Sequence, residues 1–295
     1  MNHFPFLAWA PFAIWAACSS LQSAEVRIVR DISYLGPDRA EKMDAWLPVG
    51  EAGNTPAVLV IHGGGWAVGD KADARETNFC RTLAENGIAA FSINYLLDRV
   101  EKLPDGKART VALGWPQNVE DCKSALRYLK AHAAEWRIDP HRIGVMGGSA
   151  GGHLALLLGT TADVAELNGS GLYRDQDNAV ACIVDFYGTH DLRQFGHEHF
   201  RGGTPEETAR NLDLASPKTH LSGRTPPILI VHGTADVTIP IGISRDLYRL
   251  VQEKGIVCEY IEVPDAPHSF DLQPRQRDLR PEVLAFLRRY LGLSS

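Results

Sequence analysis

Five residues, Gly147-Gly148-Ser149-Ala150-Gly151, carry the clearest chemical content of this chain. They follow the apolar run Arg142-Ile143-Gly144-Val145-Met146 and lead into His153-Leu154-Ala155-Leu156-Leu157-Leu158, which reads as a helix. A serine between glycines at a strand-to-helix junction is forced into a tight, exposed turn, because side chains on its neighbours would clash there. The G-x-S-x-G spacing alone recurs by chance. The strand before it and the helix after it make Ser149 a nucleophile rather than a turn serine.

A hydroxyl attacks poorly until a base takes its proton and a third group holds that base. Histidine suits the role of base because its pKa lies near neutrality. Among eleven histidines, His268 in Pro264-Asp265-Ala266-Pro267-His268-Ser269-Phe270 follows the last strand-like run, in a proline-containing loop that can aim the ring. The acid should leave a strand end ahead of it. Asp236, in His232-Gly233-Thr234-Ala235-Asp236, follows the apolar run Pro227–Val231 and precedes His268 by 32 residues, room for one helix and one strand. Asp265 and Glu262 are the rival acids, Asp265 standing awkwardly close to His268 in sequence. The chain order serine, acid, histidine is that of one hydrolase architecture.

Attack on a carbonyl builds negative charge on its oxygen, and backbone amides must meet it. His62-Gly63-Gly64-Gly65-Trp66 follows the strand-like run ending at Ile61 and exposes its N–H groups. With the amide of Ala150, this loop is expected to form an oxyanion hole, where each donor is worth about 3 kcal/mol in the transition state. A phosphate cradle is disfavoured: no Gly-Lys-Ser/Thr follows, and the net charge is −6.

Positioning these groups requires strands that end near one another. Ala57–Ile61 is continuously apolar, as expected of a parallel strand covered on both faces. Further strands are expected at Val26–Val29, Met43–Leu47, Ile88–Tyr95, Val180–Phe186, Ile228–Val231 and Cys258–Val263. Helices are expected at Ala74–Asn86, Pro116–Ala133, Ile243–Lys254 and Arg280–Leu291. In the second of these, Val119, Cys122, Ala125, Leu126 and Leu129 recur at helical spacing. Such alternation predicts a mostly parallel α/β sheet with helices on both faces. A chain of 295 residues fits one catalytic domain over residues 25–295. Two polar stretches, Asp98–Trp115 and His190–Pro226, exceed ordinary loop length and leave the carboxyl ends of strands, so they are candidate substrate-contacting caps.

The N-terminal residues 1–24 predict an export signal, since Phe4–Cys18 is almost wholly apolar. Trp15-Ala16-Ala17-Cys18 resembles a lipoprotein signal, which would put a lipid anchor at Cys18. No run reaches the ~18 apolar residues of a membrane-spanning helix. The acidic balance without a basic block excludes a nucleic-acid partner. Cys80, Cys122, Cys182 and Cys258 contain no C-x-x-C pair and read as buried free thiols, although an exported location would permit a disulfide. No metal or other cofactor is implied.

Taken together, His62–Trp66, Gly147–His153, Asp236 and His268 resemble the α/β-hydrolase superfamily, most nearly the hormone-sensitive-lipase-like esterases of the bifunctional xylan acetylesterase/feruloyl esterase type. Asp44-Ala45-Trp46-Leu47-Pro48 and Val184-Asp185-Phe186-Tyr187-Gly188 match as well, and the similarity spans about Met43 to Leu291. The resemblance implies Ser149 as nucleophile, Asp236 as acid, His268 as base, and Gly64, Gly65 and Ala150 as oxyanion donors. It implies that His62 braces the glycine loop and that His153 packs at the helix start. One stretch departs: Tyr95 is followed by Leu96-Leu97 and a polar insert where this type has an arginine and a short link, so a remodelled pocket is expected. The implied activity is hydrolysis of acetyl or feruloyl-like esters of small molecules or plant polysaccharide. Amide hydrolysis, by a kynurenine formamidase-like enzyme or a small-peptide peptidase, is the alternative. A non-catalytic binding protein on the same scaffold is a third reading, against which stands the complete set of three residues.

Overall fold

The computed structural model describes residues 25–50, 54–103 and 106–293; the expected export segment and Cys18 lie outside them. In chain order the elements are β1 (Val26–Ile32), β2 (Met43–Pro48), β3 (Thr55–Ile61), α1 (Ala74–Glu85), β4 (Ala89–Ile93), β5 (Arg99–Lys102), β6 (Ala108–Ala112), α2 (Gln117–Ala131), α3 (Ala133–Trp136) and β7 (Ile138–Gly148). Then follow α4 (Ala150–Thr160), β8 (Ile183–Phe186), α5 (Pro205–Ala215), β9 (Ile228–Gly233), α6 (Gly242–Glu253), β10 (Cys258–Val263) and α7 (Arg280–Tyr290). Eight strands make one sheet in the order β1-β2-β4-β3-β7-β8-β9-β10. Pairings β1–β2 and β2–β4 are antiparallel; the other neighbours run parallel.

Strand periodicity sorts the core into two layers. Along β3, Ala57, Leu59 and Ile61 face a cluster containing Leu126 of α2, Leu154 of α4 and Leu247 of α6. Val58 and Val60 face the other way, toward Phe79 and Leu83 of α1 and Phe286 and Leu287 of α7. Both layers are needed because every β3 residue is buried. The result is that the carboxyl ends of β3, β7, β9 and β10 lie along one edge of the sheet, with β8 between β7 and β9, and the chain leaves each of them into one of the four candidate site loops.

The two long stretches are not structureless. Asp98–Trp115 contains the two-stranded ribbon β5–β6, whose strands pair with each other and do not join the main sheet. Its β5 residues are all exposed, so no apolar alternation marks them in sequence. His190–Pro226 contains α5, started by Pro205 and by Thr204, whose hydroxyl accepts from the Glu207 amide at 3.1 Å. Glu207 returns a bond to the Gly203 amide at 2.7 Å, a reciprocal cap that Thr204-x-x-Glu207 announces in the sequence. Elsewhere the expected Pro116–Ala133 helix divides into α2 and α3. The expected Val180–Phe186 strand begins only at Ile183, where pairing with both β7 and β9 starts. The four cysteines in the described residues are free thiols, three of them buried. Among the described residues no helix is long and apolar enough to cross a membrane.

Alternation along β8 turns Asp185 toward α4, into full burial. Its Oδ1 accepts from the Gly188 amide at 3.0 Å, while Oδ2 has no partner among the described residues. Burial pushes its pKa up to about 7, against the lowering pull of His232 and the Gly188 amide. In the unfolded chain an aspartate titrates near about 4. Between those values the folded state holds a proton the unfolded state has lost, so stability declines as pH rises, by up to about 1.4 kcal/mol per pH unit. Urea titrations at pH 5 and pH 7 should show that decline reduced in Asp185→Asn. An identical pH dependence in both proteins contradicts the assignment.

Candidate active site

Ser149 sits between β7 and α4 with φ +60° and ψ −123°, a conformation that non-glycine residues rarely hold and that costs about 1–3 kcal/mol. The surroundings hold it there. Its amide donates to Phe186 O at 2.9 Å, and its carbonyl accepts from the His153 amide at 3.0 Å. Gly151 explains how close the packing is: a Cβ there would lie 2.0 Å from Ile61 O, so no side chain fits between the helix start and the end of β3.

His268 stands on the loop after β10. Its Nδ1 lies 2.6 Å from Asp236 Oδ2 and its Nε2 lies 2.9 Å from Ser149 Oγ. Asp236 follows β9; its Oδ1 accepts from the amides of Thr238 and Ile239 at 2.8 and 2.9 Å. Burial works to raise its pKa, but the bonds from His232, His268 and the Ile239 amide prevail and hold it far below the ordinary carboxylate range. Asp236 is therefore a charged acceptor, and Nδ1 of His268 must carry the ring proton. That leaves Nε2 as the acceptor for the Ser149 hydroxyl proton. The Tyr187 ring packs edge-on against His268 at 4.9 Å between centroids and restrains its plane.

Glu262 and Asp265, the rival acids, lie elsewhere. Glu262 accepts from Nε and Nη2 of Arg245, each at 2.8 Å, and Asp265 is exposed. One group not singled out from sequence is His232, fully buried at the end of β9. Its Nδ1 accepts from Ser244 Oγ at 2.7 Å, which places its proton on Nε2, 2.9 Å from Ile239 O and 3.1 Å from Asp236 Oδ2. It is four residues from Asp236 in the motif His232-Gly233-Thr234-Ala235-Asp236, the only signal the sequence carried for it.

A cavity of about 550 Å³ opens over Ser149 and is lined by Gly64, Gly65, Ala150, His268 and residues of the 190–226 segment. Ala150 is the first residue of α4, so its amide is one of the four that a helix start leaves without an intrahelical partner. Gly64 begins a turn in which its carbonyl accepts from the amides of Ala67 and Val68. His62 is buried beneath that turn, its Nδ1 donating to Gly63 O at 2.7 Å and its ring stacked on Tyr95. His153 packs at the start of α4: Nδ1 accepts from Trp66 Nε1 at 3.1 Å and Nε2 donates to Ala215 O at 2.8 Å. Burial brings its pKa down to about 4, so it is neutral and structural. Of the two candidate caps, 190–226 supplies Gln194–Gly196, Glu198 and His199 to the cavity wall, whereas 98–115 supplies none.

A mostly parallel sheet carrying a serine at a glycine-packed strand-to-helix turn, faced by an imidazole and a carboxylate from later strand ends, defines an α/β-hydrolase. The chain belongs to the BD-FAE family, whose pattern matches residues 43–251. It is 31% identical to the probable carboxylic ester hydrolase LipM of Mycobacterium tuberculosis, over 82% of this chain and 56% of that one. The chain thus spans little more than half the length of that curated relative. In structure it is similar to a truncated form of a carbohydrate esterase from gut microbiota, with TM-score 0.77 and 24% identity over 92% of this chain and 98% of that one. It is also similar to a bifunctional GH43-CE protein of Bacteroides eggerthii, with TM-score 0.76 and 27% identity over 89% of this chain and 38% of that one.

The crowding at Gly151 is directly testable. Gly151→Ala should lower stability by about 3 kcal/mol in urea denaturation, because the methyl group must displace the backbone of Ile61 and His62. Wild-type stability in this variant would mean that the turn is looser than described.

Proposed function

We propose that the protein is an exported serine esterase that removes short acyl groups, acetyl or feruloyl-like, from hydroxyl-rich alcohols such as plant polysaccharide. The observation that carries the reading is the unbroken hydrogen-bond chain Asp236–His268–Ser149 opening into a 550 Å³ cavity. Relatives named carboxylic ester hydrolase and GH43-CE support the ester as the scissile group and carbohydrate as the alcohol. The apolar run Phe4–Cys18 supports export.

In this mechanism Ser149 Oγ attacks the ester carbonyl carbon while its proton passes to His268 Nε2. Asp236 stays ionised and stabilises the imidazolium that results. The carbonyl oxygen becomes an oxyanion and takes hydrogen bonds from the amides of Gly64, Gly65 and Ala150. Collapse expels the alcohol, which leaves with the proton from His268. Water then attacks the acyl-serine by the same route and releases the acid. No metal or cofactor takes part in these steps.

Kinetics on p-nitrophenyl acetate should show kcat reduced by at least about 10⁴-fold in Ser149→Ala and by a comparable factor in Asp236→Asn, which loses the charge that fixes the His268 tautomer. Acetylated xylan should be deacetylated by the wild type faster than long-chain triglycerides are cleaved. Full activity of Ser149→Ala would overturn the mechanism, and a preference for long chains would overturn the substrate class.

A further inference from the structure

The cavity holds a second imidazole oriented by a carboxylate. His199 lines the wall over Ser149, and its Nδ1 lies 2.7 Å from Asp98 Oδ2. The Asp98 side chain has no exposed surface. Its Oδ1 accepts from the Gly114 amide at 2.5 Å, and its own amide donates to Trp66 O at 2.8 Å. The Gly114 amide thus fixes one carboxylate oxygen, and the bond to Trp66 ties the Asp98 backbone to the glycine loop. The His199 ring also packs on Trp66 at 5.0 Å between centroids. The two segments are further joined by Arg201, which donates to Thr110 O at 3.2 Å. This is why the Asp98–Trp115 stretch matters to the site although it supplies no wall residue: it aims a side chain of the other segment.

A carboxylate oxygen only accepts, so Nδ1 of His199 carries a ring proton; in the neutral ring Nε2 then presents a lone pair. Nε2 lies 4.0 Å from Glu198 Oε1, another wall residue and another acceptor. Two acceptors at that spacing cannot satisfy each other. They can be satisfied by donors from a ligand, and two neighbouring hydroxyl groups are donors at a matching separation. An acyl chain offers none.

We infer that His199, held by Asp98 and assisted by Glu198, is a specificity residue that accepts hydrogen bonds from hydroxyl groups of the substrate's alcohol half. The inference rests on the esterase reading above and assigns which wall of the cavity meets the sugar. Asp98 is a positioning residue: it sets the tautomer of His199 and does not touch substrate.

The test uses two acetyl esters that pass through the same acetyl-serine, a monoacetylated methyl xyloside and p-nitrophenyl acetate. Only the alcohol half differs, so the ratio of their kcat/KM values isolates its recognition. His199→Leu removes the acceptor and keeps the packing on Trp66. Asp98→Asn keeps the Gly114 bond through its carbonyl oxygen and turns its NH₂ toward Nδ1; the ring proton then moves to Nε2, and the acceptor becomes a donor. In both variants the xyloside to p-nitrophenyl ratio should fall about 10-fold, with KM for the xyloside carrying most of the change. Glu198→Gln, an exposed side chain that carries no structural bond, should lower the ratio about 3-fold. Ratios within twofold of wild type in all three variants would overturn the assignment while leaving the esterase reading intact. A wild type that cleaves neither ester would instead overturn the esterase reading itself.

Discussion

The site depends on a carboxylate that stays charged although it is nearly buried. Asp236 is surrounded by four donors: two amides of its own loop, the His268 ring and the buried His232 ring. Each supplies attraction that burial alone would deny it. Once Asp236 is ionised, the location of every proton in the neighbouring chain follows. His268 must donate through Nδ1 and accept through Nε2, and Ser149 must donate. A neutral Asp236 would leave both ring nitrogens of His268 without a fixed role. His232 bonds no atom of Ser149 or His268, yet it belongs to the same electrostatic unit because it shares Oδ2 of Asp236 with His268.

A second constraint is steric. Ser149 keeps its strained backbone because neighbouring chain segments leave it no alternative, and those segments approach closely only where side chains are missing. A Cβ on Gly147 would lie 2.3 Å from Gly151 O, and one on Gly152 would lie 2.3 Å from Asp185 Oδ1. The parallel core of the sheet supplies the rigidity that makes such crowding sustainable. Strands β3 and β8 are buried throughout, β7 is buried from Ile143 to Gly148, and α4 is buried along its whole length between them and α2. Strain at one serine is small against that amount of packed surface.

Much of this was legible from residue types and spacing. Continuous apolar runs mark β3, β7 and β9, because a strand covered on both faces has no polar side to show. The serine and acid are recognisable since each leaves the end of such a run and the histidine since it follows the last strand-like run, and the structure brings those three residues into hydrogen-bonding contact. Other features leave little trace. The ribbon β5–β6 mixes polar and small apolar residues and its β5 strand is exposed throughout, and α5 announces itself only through its Thr204–Glu207 cap. His232 looks like the end of a strand until its partners are known. The Asp98–His199 pair is 101 residues apart in sequence, and nothing local to either residue indicates the other. Long-range polar pairs have no periodicity, so they surface only in three dimensions.

The most direct test of the central claim is the site and rate of reaction with diethyl p-nitrophenyl phosphate, which phosphorylates activated serines. Peptide mass spectrometry should place the adduct on Ser149 and on no other hydroxyl, and Asp236→Asn should react far more slowly than wild type. An adduct on another residue, or equal labelling rates in the two proteins, would contradict the view that a charged Asp236 activates Ser149 through His268.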